Sequence, residues 1–125
     1  MLKLSEAIRL GAMIRPQTMD AFFARGHSCA WGAALEATGT AYDEQLLWAN
    51  DTIFRQWGWI LNRMVRCPAC GEVRPIISMV PHLNDLWHCW PRERIAEWVA
   101  TIEPAEAPIA LPVSSEAQEQ EVVCV

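Results

Sequence analysis

A mainly α chain carrying one small β-hairpin is the architecture to expect from these 125 residues. Apolar residues recur at helical spacing over most of the length, and proline, glycine and cap residues punctuate the stretches that carry them. Only around residues 67 to 77 does the pattern break, into a tight Cys-Pro-Ala-Cys-Gly turn followed by a short apolar run. With 52% hydrophobic residues the chain can bury the modest core of one compact domain.

Taken in order, Ser5 can cap a first helix reaching about Ile14 and stopped by Pro16, with Leu4, Ile8 and Ala12 on one side. Ser28 can cap a second helix, Cys29 to Thr38, closed by Gly39, whose face is Trp31, Ala34, Leu35 and Thr38. Asp43 begins a short turn holding Leu46, Leu47 and Trp48. Asp51 or Thr52 then opens the strongest helix, with Ile53, Trp57, Ile60, Leu61 and Met64 as a stripe facing the core or a partner. Val73 to Ile77, interrupted by Arg74 and Pro75, suits an irregular hairpin. Pro91 sits where a missing amide proton costs nothing, at the start of a last helix from Arg92 to Thr101 with Ile95, Trp98, Val99 and Ile102 on one face. Leu61, Trp90, Ile95 and Trp98 form the small core against which the middle module docks.

The organisation expected is therefore an N-terminal helical part over 1–66, a finger-like module with the last helix over 67–102 in the same compact domain, and a tail over 103–125. Pro104, Pro108 and Pro112 punctuate that tail, which has no basic residue and too little apolar surface to offset its ordering entropy. Its end, Val122, Val123 and Val125, suits β-addition to a partner or to the domain body. Cys124 is second from last and so makes no prenylation motif.

Cys67 and Cys70, followed by His82 and His88, have the spacing C-x2-C-x11-H-x5-H. Two thiolates from a tight turn and two imidazoles from a following helix supply the four soft and borderline donors of a closed tetrahedral zinc site. Gly71 lets the chain turn back after the second cysteine. A redox Cys-x-x-Cys is the competing reading, but it would open a helix after a strand in a βαβ setting, which the chain does not offer. The fourth ligand is contested. On one regular helix, residues 82 and 88 lie about 240° apart, whereas Cys89, seven residues from His82, shares its face. His88 is the expected ligand if the last turn loosens before Pro91, and Cys89 is its competitor. Asp85, one turn from His82, can orient that imidazole as an outer acceptor or stand solvated.

Five cysteines, two of them in a metal-like pair, together with no secretory signal pattern, point to the cytoplasm. No apolar run approaches the ~18 residues of a membrane span. Cys29 reads as a buried apolar thiol and Cys124 as a tail thiol. The net charge of -5 hides a gradient: residues 1 to 54 carry -2, residues 55 to 96 carry +3 through six arginines, and residues 97 to 125 hold six glutamates and nothing basic. Arg63, Arg66, Arg74, Arg92 and Arg94 beside a zinc module are the equipment of phosphate contact, or simply scattered solvated cations.

Leu4-Ser5-Glu6-Ala7-Ile8-Arg9-Leu10-Gly11, Cys29-Ala30-Trp31-Gly32-Ala33-Ala34-Leu35, the His82-Leu83-Asn84-Asp85 stretch and Trp90-Pro91-Arg92-Glu93-Arg94-Ile95-Ala96-Glu97-Trp98-Val99 carry a resemblance. Residues 2 to 39 and 67 to 99 resemble a group of small uncharacterised bacterial and phage proteins that share a CxxC knuckle, an HLND stretch and a W-x-R-E-x-I-A-x-W-V helix. The resemblance implies a cytoplasmic bacterial or phage accessory protein and brings no activity with it. Two function classes remain. One is a zinc-stabilised binding or regulatory module contacting a protein partner, or alternatively nucleic acid through its arginines. The other is a zinc enzyme, which needs an open coordination position; four donors close the shell, and no HExxH, deaminase, P-loop or serine-elbow pattern is present. The expectation is a non-enzymatic binding module.

Overall fold

In the computed structural model, which describes residues 2–104, five helices surround a shared apolar core and two short antiparallel hairpins sit at its edges. The helices are α1 (Leu4–Gly11), α2 (Ala30–Ala37), α3 (Ala49–Leu61), α4 (Ile76–Asn84) and α5 (Arg92–Ile102). The strands are β1 (Phe23–Ala24) paired with β2 (His27–Ser28), and β3 (Met64–Arg66) paired with β4 (Val73–Pro75). The expected mainly α domain with a small hairpin is what the chain forms. The second hairpin, β1–β2, was not anticipated. Its two-residue turn is Arg25-Gly26, both at positive φ, the geometry that matches the twist of two antiparallel strands.

Both of the first two helices are shorter than their periodicity suggested, and their caps lie two residues before and one residue after those expected. Lys3 caps α1, and Ser5 instead lies buried inside it, donating its hydroxyl to the Glu103 carboxylate just past α5, which also accepts the Ser5 amide. Cys29 caps α2, its sulfur accepting the Gly32 amide at 3.3 Å. Two backbone approaches make the packing of these helices tight. A Cβ on Gly11 would lie 1.8 Å from the Ala33 carbonyl oxygen, and one on Gly32 would lie 2.2 Å from that of Phe22.

The stripe of the third helix is core as expected: Ile53, Trp57, Ile60 and Leu61 are buried. Met64 has left the helix for β3 and is exposed. The backbone departs from helical geometry at Trp57, whose indole Nε1 donates to the Leu2 carbonyl at 3.2 Å. Leu61, Trp90 and Ile95 are buried in the same core, with Trp98 half-buried against it.

Inside α4, Pro81 has no amide to donate to the Ile77 carbonyl, the partner it would have one turn earlier. The Trp31 indole on α2 donates to that oxygen at 3.1 Å, so the proline costs the helix no unsatisfied group there. Arg92, at the start of α5, is buried. Its guanidinium donates to the Ser28 carbonyl and hydroxyl and to the carbonyls of Ala12 and Arg15, at 3.2, 2.8, 3.3 and 2.6 Å. A cation at the end of α1 is the favourable sign for that end of a helix dipole. The tail expected from residue 103 lies beyond the described residues except for its first two positions, of which Glu103 is buried against Ser5. The expectations for Cys124 and the terminal valines also fall outside the described residues.

Candidate metal centre

The hairpin β3–β4 exists to present a knuckle. Between its strands, the Cys67 amide donates to the Glu72 carbonyl at 2.7 Å and the Gly71 amide donates to the Cys67 carbonyl at 2.9 Å. Gly71 takes the positive φ of 83° that closes this turn. The amides of Ala69 and Cys70 both donate to the Cys67 sulfur at 3.4 Å. Cys67 is buried and Cys70 exposed.

The histidines reach the knuckle from two different pieces of backbone. His82 lies in the last turn of α4 and is buried, whereas α4 stops at Asn84, so His88 is not on a helix. After Asp85 the chain folds into a tight turn in which the Asp85 carbonyl accepts the amides of His88 and Cys89, at 3.1 and 2.7 Å. The turn is closed by the Trp90 amide on the Leu83 carbonyl at 2.8 Å. Cys89 occupies the left-handed region, φ 53°. That twist separates the two neighbours: the His88 ring turns to the knuckle, while the Cys89 sulfur faces the Leu86 carbonyl at 3.6 Å and the Met19 sulfur at 4.0 Å. Cys89 is exposed and outside the cluster. The helix-face argument that made it a competitor fails because the helix on which it depended ends five residues earlier.

The donor atoms of Cys67, Cys70, His82 and His88 all lie within 4.8 Å of one another. His88 Nε2 is 3.6 Å from the Cys67 sulfur, His82 Nε2 is 3.5 Å from the Cys70 sulfur, and the two Nε2 atoms are 3.1 Å apart. Bond lengths of about 2.3 Å to sulfur and about 2.0 Å to nitrogen, set at tetrahedral angles, require sulfur–nitrogen separations of about 3.5 Å and a nitrogen–nitrogen separation of about 3.3 Å. The four donors thus fit one tetrahedral ion. The two imidazole rings meet edge to face, with centroids 4.7 Å apart.

Burial holds the His82 imidazole below its ordinary value, and the charges of Arg74 and His88 act in the same direction. The ring is thereby biased toward the neutral form that a metal requires. Among the described residues nothing bonds its Nδ1. Asp85, expected as a possible acceptor for that nitrogen, is committed elsewhere: its Oδ1 accepts the Asp20 amide and the Asn84 side chain, both at 2.9 Å.

Asn84 is the residue the sequence reading passed over. Fully buried, it accepts at Oδ1 from Gln17 Nε2 at 2.9 Å and from the Ala30 amide at 3.1 Å, and it donates through Nδ2 to the Thr18 carbonyl at 3.0 Å. Gln17 also donates to the Trp90 carbonyl at 2.8 Å. One amide side chain therefore ties the end of α4 to the 17–20 loop and to the start of α2, and so fixes where the His88 turn begins. Only the adjacent turn residues Asn84-Asp85 hinted at this, and a helix end has many such pairs.

The arginines are unequal. Arg63 and Arg66 are exposed, Arg74 is paired with Glu72 at 2.7 Å, and Arg94 lies over the Trp90 ring at 3.7 Å. Arg92, in contrast, is enclosed by the carbonyls described above and presents no guanidinium to a partner.

No family model matches the chain, and no curated protein or solved structure does either.

Proposed function

We infer that this is a zinc-stabilised binding or regulatory protein of bacterial or phage origin, working in the cytoplasm by contact with a protein partner and not as an enzyme. The observation that carries this reading is the Cys67, Cys70, His82 and His88 cluster, whose four side-chain donors lie within 4.8 Å of one another, with two sulfur–nitrogen separations and the nitrogen–nitrogen separation near those of a tetrahedral ion. Two thiolates and two neutral imidazoles suit zinc in charge and softness, and four protein donors leave no coordination position for a substrate. Bound there, the ion would supply cross-linking of the knuckle to α4 and to the His88 turn. Support for a protein partner comes from the turn itself: Leu86 and Trp87, between the two histidines, are 72% and 81% exposed. Large apolar side chains held out by a rigid loop are what a docking surface needs.

Nucleic-acid contact is the second reading, favoured by exposed Arg63 and Arg66 around β3, with Arg74 opposite on β4 and Arg94 on α5. Its binding would weaken steeply with salt.

Metal analysis of freshly purified protein with intact thiols tests the first reading and should return one zinc per chain. Structural zinc contributes on the order of 10 kcal/mol in small fingers, which exceeds the stability of an ordinary domain. Chelation should therefore unfold the segment from β3 to α5. Cys67→Ser, Cys70→Ser and His88→Ala should behave as chelation does, while Cys89→Ala keeps its metal. A zinc-free native protein, or zinc lost from Cys89→Ala and kept by His88→Ala, refutes the assignment.

A further inference from the structure

Away from the metal cluster, a cavity of about 450 Å³ opens between the 20–22 loop, the start of α2, and the facing sides of α3 and α4. That volume is within the usual range for ligand pockets, about 300–1,000 Å³. Its walls are apolar and aromatic, formed by Phe22, Trp31, Ile53, Ile77 and Pro81. Its charged residues are both acidic, Asp20 and Asp85, beside the neutral Asn50 and Cys29, and no lysine, arginine or histidine lines it.

The two carboxylates have no counter-charge among the described residues. Asp85 accepts only at Oδ1, from the Asp20 amide and from Asn84, and among the described residues neither aspartate forms an ion pair. A cavity with aromatic walls and unneutralised carboxylates favours an organic cation, by charge and by the attraction of a cation to ring faces. Exposed apolar residues stand close in sequence to two of the lining residues: Leu47 and Trp48, 82% and 69% exposed, precede Ala49 and Asn50 at the start of α3, and Leu86 and Trp87 follow directly on Asp85. Their kind, with aromatics prominent, is that of interface anchors.

We propose that this cavity is the docking site of the protein partner, and that it takes an extended peptide segment presenting an arginine or lysine to Asp20 and Asp85, with apolar neighbours laid on Leu47–Trp48 and Leu86–Trp87. This deepens the binding-module reading and rests on it. The tail of the chain itself, acidic and without a basic residue, has the wrong charge for the pocket.

The test uses the full-length protein as purified and an array of synthetic decapeptides. Arginine or lysine is fixed at the centre, leucine, tryptophan or serine varied on both sides, and a matched array carries glutamate at the centre. Basic-centred peptides with apolar flanks should bind, and glutamate-centred ones should not. Asn50→Arg places a cation at an exposed helical position in the pocket lining and should lower affinity at least tenfold. Asp20→Asn, which keeps a side chain tolerant of the local φ of 64°, should lower it several-fold. Trp87→Ser should weaken peptides with apolar flanks and leave serine-flanked ones unchanged. Zinc content and thermal transition are measured on every sample. Failure of all peptides to bind zinc-loaded wild type, equal binding of glutamate-centred peptides, or insensitivity to both Asn50→Arg and Asp20→Asn overturns the proposal while leaving the zinc-stabilised module standing. A native protein without zinc that still selects basic peptides overturns the module reading and supports the pocket.

Discussion

Individual side chains carry much of this fold, and two of them make opposite demands on their surroundings. Asn84 has four polar partners and no exposure, so Asn84→Ala leaves the Ala30 amide without its acceptor, the Thr18 carbonyl without its donor, and Gln17 Nε2 with the Trp90 carbonyl alone. Each buried group abandoned in this way costs about 1–3 kcal/mol. Thermal or urea unfolding of the zinc-loaded variant should show a loss of about 3 kcal/mol, large for a single substitution. Cys29 illustrates the reverse case. Burial pushes its thiol up from 9.0 to about 11, against the pull of the Gly32 and Trp31 amides and with help from the negative charge of Asp85. A group whose value is raised on folding stabilises the native state below its unfolded value and loses that contribution as pH rises to its folded one. Stability on the order of 2 kcal/mol should therefore disappear between pH 9 and about 11 in the wild type, and Cys29→Ser, which retains a capping atom, should lack that part of the slope. Comparison of urea midpoints at pH 8, 9, 10 and 11 for the two proteins checks it. Both residues show the limit of reading side chains from a sequence. That Cys29 is buried and unactivated was legible from its place in an apolar helix start. The tertiary bonds of Asn84 were not, because they join residues 54 and 67 positions away.

At the level of elements, periodicity located α1, α2, α3 and α5, whereas α4 starts at Ile76, inside the stretch expected to be hairpin, and stops at Asn84, before most of the helix expected from His82; competition for backbone partners decided the ends. The cap of α1 moved from Ser5 to Lys3 because the Ser5 hydroxyl is claimed by Glu103, a contact across 98 residues that no local rule anticipates. The Cys-x-x-Cys-Gly knuckle was readable because its chemistry is local: spacing, glycine and amide-to-sulfur bonds all lie within five residues. The choice between His88 and Cys89 was not, since it depended on where α4 stops. Pro81 shows how one helix relies on another. The carbonyl it leaves free is satisfied by Trp31, so Trp31→Phe keeps the ring packing against Trp57, whose centroid is 5.9 Å away, and removes only the donor. A loss of about 1–3 kcal/mol is expected, the penalty for a carbonyl left unsatisfied, with little change in the far-ultraviolet spectrum. The double variant Trp31→Phe with Pro81→Ala should recover most of it, because an alanine amide at 81 can bond the Ile77 carbonyl itself. If the double variant is no more stable than the single one, the indole bond is not what compensates the proline.

For the whole molecule, no helix among the described residues is long and apolar enough to cross a membrane. The core is shared between the helices that precede the knuckle and those that follow it. The metal cluster and the N-terminal helices are consequently coupled through Asn84, Gln17 and Trp90. Chelation should loosen the 17–20 loop as well as the knuckle. Amide exchange should show protection lost at Thr18, Asp20 and Ala30, whose amides bond the Ser28 carbonyl, Asp85 and Asn84 respectively, together with protection lost at Gly71. Exchange that changes only at 67–72 would mean that the knuckle is an independent appendage.

The contact of Ser5 with Glu103 has a consequence for connectivity. It holds the entry to α1 beside the exit from α5, so the order in which the polypeptide visits its helices is a matter of synthesis more than of architecture. A circularly permuted chain, with residue 104 joined to residue 3 by a short Gly-Ser bridge and new ends opened in the exposed 43–45 segment, would keep every helix pair in place. It would also draw the two histidines and the two cysteines nearer the new amino terminus, where a growing chain could close its metal knot before the helix that now comes first had been made.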